Sequence, residues 1–313
     1  MNPKILVIIN PNAGRKLAKL DWPLIESQLI SRQIPFEVRF TRFSKEAIKL
    51  VAEAIENVGF TKVVAIGGDG TINEVVNGIF QQKRFPTQEI TLGVIPIGTG
   101  NDWIKMFGLP KKYDQAIDLI QKGNTFIQDV GRVKYHIGNK TNDRYFVNAA
   151  GLGFDAMVTD NTNRKKEERK SSTLSYFTNM IKSLYKYKSP PVKVLINKRE
   201  VLNGQLFTLS LAIGQYTGGG MRQTPDAIMD DGLFDLMLVD RIAKTKLILN
   251  VKKLFDGKIN QLDEVTMLRT ESLEVVSDAN LMIEVDGENI GHGPFEFELI
   301  PRSLKVIVGS GSN

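Results

Sequence analysis

Short apolar runs spaced by helical patterns constrain the first part of this chain more than any other feature. "ILVIIN" (5–10), "FEVRFT" (36–41), "KVVAIG" (62–67) and "ITLGVIPIG" (90–98) read as strands, and "KEAIKLVAEAIENV" (45–58) as a helix. In that helix Ala47, Ile48, Val51, Ala54 and Ile55 share one face, and Gly59 closes it. Continuous apolar strands alternating with helices predict a parallel sheet covered on both sides. Ligands of such sheets bind where the carboxyl ends of the strands open into loops.

The rhythm changes after residue 125. "FIQDVGRVKY", "YFVNAAGLGF", "VKVLIN", "LFTLSLAIG", "LFDLMLVD", "LEVVS", "LMIEVDG" and "FEFELI" are mostly short alternating runs broken by Gly, Asn and Asp. That is the pattern of an antiparallel β-sandwich or barrel. Two helical stretches interrupt it, "LSYFTNMIKSLYKYK" (174–188) and "KTKLILNVKKLFDG" (244–257). A chain of 313 residues accommodates two cores. The expected division is an α/β domain over 1–125 and a β-sandwich over 126–302, with a last strand at about 303–313 packing back on the first domain.

Composition excludes several chemistries. The absence of cysteine rules out disulfides and thiolate metal sites. With His136 and His292 the only histidines, carboxylates must carry any acid–base work. No apolar run approaches the ~18 residues that span a bilayer, and "MNPKILVIINPNAG" lacks a secretory pattern. A cytoplasmic protein is the expectation. The net charge of +6 suits an anionic partner, whether nucleotide, phospholipid surface or nucleic acid.

Three of the four strands run into glycine-rich turns: "NPNAG" (10–14), "GGDGTINE" (67–74) and "PIGTGND" (96–102). Glycine lets main-chain N–H groups approach an anion, and a helix N-terminus adds partial positive charge. Three such turns on one edge predict a phosphate cradle, with Thr71 either capping a helix or bonding a phosphate oxygen. Asp69 is out of place in a cradle for anions unless a cation lies between, and Mg²⁺ suits mixed carboxylate and phosphate oxygens. The alternative is that Asp69 caps the next helix. No "GxxxxGK[ST]", "HRD" or "DFG" is present, which excludes the P-loop and protein-kinase designs.

"GGDGTINEVVNG" followed by "GVIPIGTGNDW" resembles the catalytic domain of the diacylglycerol kinase and sphingosine kinase superfamily, soluble bacterial lipid kinases in particular. "GGGMRQTPDAIMDDGLFDL" (218–236) and "IEVDGENIG" (283–291) extend the resemblance along the chain. It implies a first domain akin to NAD kinase and phosphofructokinase, a C-terminal β-sandwich, and ATP in the cleft between them. Nucleotide contacts would come from Asn10, Pro11, Asn12, Ala13 and Gly14, from Thr41, from Gly67, Gly68, Asp69, Gly70, Thr71, Ile72 and Asn73, and from Thr99. Glu288 would be the base for the acceptor hydroxyl, with Asp286 close by. A structural Mg²⁺ would lie on Asp231 and the main-chain oxygens of Ile228 and Leu233, with Asp226 or Asp230 helping through water. "WIK" after "GTGND", Gln215 and Thr224 depart from the family's usual residues.

The resemblance implies a lipid acceptor, diacylglycerol by default, a homodimer and no nucleic-acid partner. An NAD kinase-like phosphotransferase and a catalytically silent nucleotide- or lipid-binding regulator are the alternatives. The basic stretches 164–170, 174–188 and 244–257 read either as faces covering core or as surfaces lying on an anionic membrane.

Overall fold

The apolar runs pair as their continuous burial requires. In the computed structural model, which describes residues 4–98, 100–167, 183–278 and 280–309 (164–167 by backbone alone), four of them form a parallel sheet. The strands β1 (Ile5–Ile9), β2 (Phe36–Phe40), β3 (Lys62–Gly67) and β4 (Thr91–Pro96) lie in the order β2-β1-β3-β4. All of β1 and nearly all of β3 and β4 are buried, as strands covered on both faces must be. Ile5, Val7 and Ile9 share a core with Ala18, Trp22, Ile25 and Leu29 of α1 (Ala13–Ser31) and with Ala116, Ile117 and Ile120. The last three lie on α5 (Tyr113–Lys122), which follows the short α4 (Asp102–Lys105). On β1 the intervening Leu6 and Ile8, equally buried, point to the opposite face of the sheet. There α2 (Glu46–Val58) packs against β1 and α3 (Asp69–Gln81), and α3 against β3.

Helix α1 has no counterpart in the periodicity of the sequence. Its run contains Pro23, and it opens on Gly14, Arg15 and Lys16, all left-handed, so regular turns begin only beyond Lys16. Two successive non-glycine residues in that region each cost of order 1–2 kcal/mol.

Chain contacts divide the molecule into two units: residues up to Val130 with those from Ile300 onward, and Gly131–Leu299. Strand β5 (Thr125–Ile137) pairs with β6 (Lys140–Phe146), and β7 (Ala149–Gly153) leads into α6 (Phe154–Glu167). Then come β8 (Pro191–Ile196), β9 (Arg199–Gln205), β10 (Thr208–Ala212), β11 (Phe234–Val239), α7 (Lys244–Phe255), β12 (Val265–Thr270), β13 (Ser272–Val276), β14 (Met282–Val285) and β15 (Glu288–Ile307). The second unit is antiparallel, in the order β12-β11-β10-β7-β14-β15, with β13 joining β15 to β8 and β9. Its core gathers Phe146, Leu152, Leu209, Leu211, Phe234, Leu236, Ile283, Phe295 and Phe297. The end of β15 belongs to the first unit, where Lys305 and Val306 pair in parallel with Thr91 and Leu92 of β4.

"YFVNAAGLGF" reads as one strand-like run but is broken at 147–148, and Phe154 starts a helix instead of ending a strand. Of the two basic helical stretches, 244–257 is α7, whereas 174–188 lies mostly outside the described residues, as do the side chains of 164–170. Among the described residues no helix is long and apolar enough to cross a membrane.

Candidate active site

Adjacent parallel strands deliver the three glycine turns to one edge of the first unit's sheet, because β1, β3 and β4 all end there. The turns also touch one another. Asn10 Nδ2 donates to Thr71 Oγ1 at 3.3 Å, and the Asn12 N–H donates to Asn10 Oδ1 at 3.0 Å. Ile97 N donates to the Gly67 carbonyl at 2.9 Å. Thr41 follows β2 at the same edge, buried, its N–H on the Ile9 carbonyl at 2.8 Å. Thr99 lies outside the described residues.

Gly67 is required by close approach. A Cβ there would sit 2.6 Å from Thr71 Cβ, inside the first turn of α3. Gly67→Ala is therefore expected to displace Thr71, break its bond to Asn10 and lower stability by about 1–3 kcal/mol. Thermal melting checks the loss.

Asp69 opens α3. Its Oδ2 accepts the Asn101 N–H at 2.9 Å, so the carboxylate ties the second glycine turn to the third. Asn101, left-handed at φ 50°, is fixed in turn by its Nδ2 donating to the Gly98 carbonyl at 3.1 Å. Further along α3, buried Glu74 accepts the N–H groups of Lys45 (2.7 Å) and Ala47 (3.2 Å), satisfying the first turn of α2. In the "WIK" segment, Trp103 is core, donating to Gln128 Oε1 at 3.0 Å, and Lys105 pairs with Asp102 at 2.5 Å.

In the second unit, "VDGE" makes the hairpin between β14 and β15. Asp286 (φ 47°) and Gly287 (φ 86°) are both left-handed, the geometry that favours Asp-Gly in two-residue turns. The Asp286 carboxylate accepts the N–H groups of Val147 (3.0 Å), Asn148 (3.0 Å) and Ala149 (3.1 Å). Expected beside the base, Asp286 is here a clamp that fixes the turn to the start of β7. Glu288, the first residue of β15, faces the buried Arg144, whose Nη2 lies 3.4 Å from Oε2. Asn163 of α6 donates to the Gly287 carbonyl at 2.9 Å.

Two further acids stand beside this turn. Glu284 lies opposite Gly151 in the β14–β7 register, and Asp155 is the second residue of α6. A Cβ on Gly151 would come within 2.8 Å of Glu284 Oε1 and 2.9 Å of Asp155 Cβ, so this glycine makes room for both. Glu284 Oε2 accepts the Gly287 N–H at 2.8 Å, and Gln223 Nε2 donates to Asp155 Oδ2 at 3.0 Å. Burial, reinforced by Asp155 and Asp286, pushes Glu284 up to about 8; burial pushes Asp155 up to about 6 against the Gln223 and Thr208 hydrogen bonds. Both folded values exceed the unfolded ones, so their stabilising contribution is present below the unfolded carboxyl range and is lost as pH rises through the folded values. Glu284→Gln should remove that group's own share of the decline, up to about 1.4 kcal/mol per pH unit between pH 5 and 8. Denaturant melts of both proteins across that range check the slope.

Residues 4–133 match the diacylglycerol kinase catalytic domain family, and residues 148–308 match the YegS C-terminal NAD kinase beta sandwich-like domain family. The chain belongs to the diacylglycerol kinase and sphingosine kinase superfamily. Within it, the chain is similar to a diacylglycerol kinase of Staphylococcus saprophyticus subsp. saprophyticus, 28% identical over 98% of this chain and 95% of that protein. It is likewise 28% identical to a diacylglycerol kinase of Mycobacterium tuberculosis over 84% of this chain and 81% of the relative. A solved structure from Bacillus anthracis str. Sterne has a TM-score of 0.78 at 23% identity, covering 99% of this chain and 98% of its own. Yeast NADH kinase in complex with NADH shares the fold at a TM-score of 0.54 and 10% identity, with 100% of this chain and 84% of the kinase covered. The α/β unit followed by an antiparallel unit is the architecture expected of this superfamily, and the chain is an enzyme of lipid kinase type.

The superfamily's structural-metal position looks different here. Asp231 Oδ1 accepts the Leu233 N–H at 3.1 Å, and Oδ2 is taken by the guanidinium of Arg269. Ile228 is half exposed. No group of three or more metal-ligating side chains is assembled among the described residues. With both Asp231 oxygens engaged by donors, the residues do not fit a cation in this arrangement. The other two departures from the superfamily pattern have a clear structural role. Gln215 Nε2 donates to the Ala227 carbonyl at 3.1 Å, and Thr224 Oγ1 donates to the Gly214 carbonyl at 3.0 Å, so both tie the 214–227 loop to itself.

Arg144, Asn101, Glu284, Asp155 and Arg269 escaped the sequence reading. Glu284 carried a signal, since the period-2 spacing of Glu284, Asp286 and Glu288 runs through the hairpin. Arg144 and Arg269 sit on unremarkable alternating strands, and only pairing register reveals their partners.

Proposed function

We propose that this enzyme transfers the γ-phosphate of ATP to a lipid hydroxyl, with diacylglycerol the first candidate acceptor. The observation that carries the reading is the joining of three glycine turns at one sheet edge, with the Asp69 carboxylate bridging two of them. Main-chain N–H groups at the start of α3 and in the turns bind the phosphates, and Asn10 and Thr71 orient them. A carboxylate inside an anion cradle fits a divalent ion: Mg²⁺ arriving with the nucleotide would be held by Asp69 and would neutralise charge on the phosphates. Glu288 takes the proton of the acceptor hydroxyl as its oxygen forms the new bond to phosphorus and the bond to the β–γ bridging oxygen breaks. A loose transition state asks mainly for positioning, which Arg144 and the Asp286 clamp supply to Glu288.

The acceptor resides in a bilayer. Helix α7 carries Lys244, Lys246, Lys252 and Lys253 with Leu249 fully outward, a composition suited to resting on anionic lipid. Incubation with radiolabelled ATP, a panel of lipids and NAD tests the function. Labelled lipid supports it, labelled NADP replaces it with an NAD kinase-like activity, and no transfer leaves a binding regulator. Vesicle pelleting that is unchanged by anionic lipid would remove α7 from the account.

A further inference from the structure

The superfamily resemblance assigns a divalent cation to the "PDAIMDDG" turn, yet the turn's charges already meet a cation of the chain's own. Arg269 of β12 is the direct cross-strand neighbour of Asp235 of β11. From that position it pairs with two carboxylates: with Asp231 through Nη2, and with Asp235 through Nε at 3.4 Å. Asp226 lies near enough to add its negative field at Asp235. One guanidinium thus pairs with two acids, with a third near one of them, at the point where the turn enters β11.

We propose that Arg269 serves as a built-in counter-ion for this turn, in place of a bound divalent metal. A guanidinium is always protonated and offers its donors in a fixed planar fork, so it holds two carboxylates without dehydration of an ion. Strand pairing delivers it to the turn, and the Asp231 carboxylate is shared between Arg269 and the Leu233 N–H rather than aimed at a common centre. Asp235 Oδ2 is buried without a hydrogen-bond partner, and one such oxygen is far short of a divalent ion's oxygen shell. The inference is independent of which lipid is phosphorylated.

The test uses the full chain without nucleotide, purified without chelator and desalted into metal-free buffer, with metal content and thermal melting as readouts. The expected wild-type result is far less than one divalent ion per chain and a Tm that neither EDTA nor millimolar Mg²⁺ changes. Arg269→Met, which keeps length and loses charge, should melt about 2–6 °C lower, with added Mg²⁺ restoring part of the loss. Arg269→Lys should fall between them. One bound ion per chain in the wild type, a wild-type Tm lowered by EDTA, or an Arg269→Met variant as stable as the wild type would each overturn the proposal. If the Met variant fails to fold, the wild-type metal content and EDTA response decide alone.

Discussion

Asp69→Asn is expected to slow phosphoryl transfer by about 10²–10³-fold while leaving the fold intact. The substitution is isosteric, and the amide oxygen can still accept the Asn101 N–H that Oδ2 accepts now at 2.9 Å. The bridge between the second and third turns therefore survives. What disappears is a negative charge among the glycine turns, which on the proposed function holds a cation against phosphate oxygens. Melting temperature should stay within a degree or so of the wild type, since a first-turn carboxylate adds only about 0.3–1 kcal/mol to an exposed helix end. Steady-state rates against Mg²⁺ concentration read the effect, and the variant should need more metal to reach its lower maximum. Wild-type turnover in Asp69→Asn would remove the carboxylate from the chemistry.

Glu288→Gln should cost about 10²–10⁴-fold in kcat, again without unfolding. The glutamine retains an oxygen for Arg144, 3.4 Å away, and the hairpin is held by groups that the change does not touch. Asp286→Asn forms the instructive contrast. A carboxylate that accepts from Val147, Asn148 and Ala149 uses both oxygens, and an amide offers only one. That variant should lose about 1–3 kcal/mol of stability together with activity. The Glu288 variant should lose activity alone. Chemical denaturation beside initial-rate measurements separates the two, and a Glu288→Gln enzyme of normal kcat would require another base.

The two roles illustrate what sequence conveys and what it hides. Strand β3 was legible to the residue, because six consecutive apolar or small residues ending in Gly-Gly have few other uses in a parallel sheet. The edge that carries the turns followed from chain direction alone. Helix α1 was not legible, since the three left-handed residues at its start and Pro23 within it disguise the period. That Asp286 also clamps the turn was hidden, because Asp and Glu in one motif carry no mark of which is hydrogen-bonded. Its three N–H partners lie more than 130 residues earlier, and only the fold brings them together. Arg269 was invisible for the same reason: its identity as a partner of Asp231 and Asp235 is a fact of β11–β12 register.

Strand β4 is completed by residues more than 200 positions further along the chain. Lys305 and Val306 pair with Thr91 and Leu92, and Ser303 and Arg302 accept from Thr87 and Gln88. Val308 and Gly309 donate to Asn124 and Phe107. An edge of β4 stays open until more than 200 residues beyond it have left the ribosome, so the first unit must wait, part-finished, through the making of its neighbour. Such distant closure slows folding and leaves an apolar strand edge available to other nascent chains.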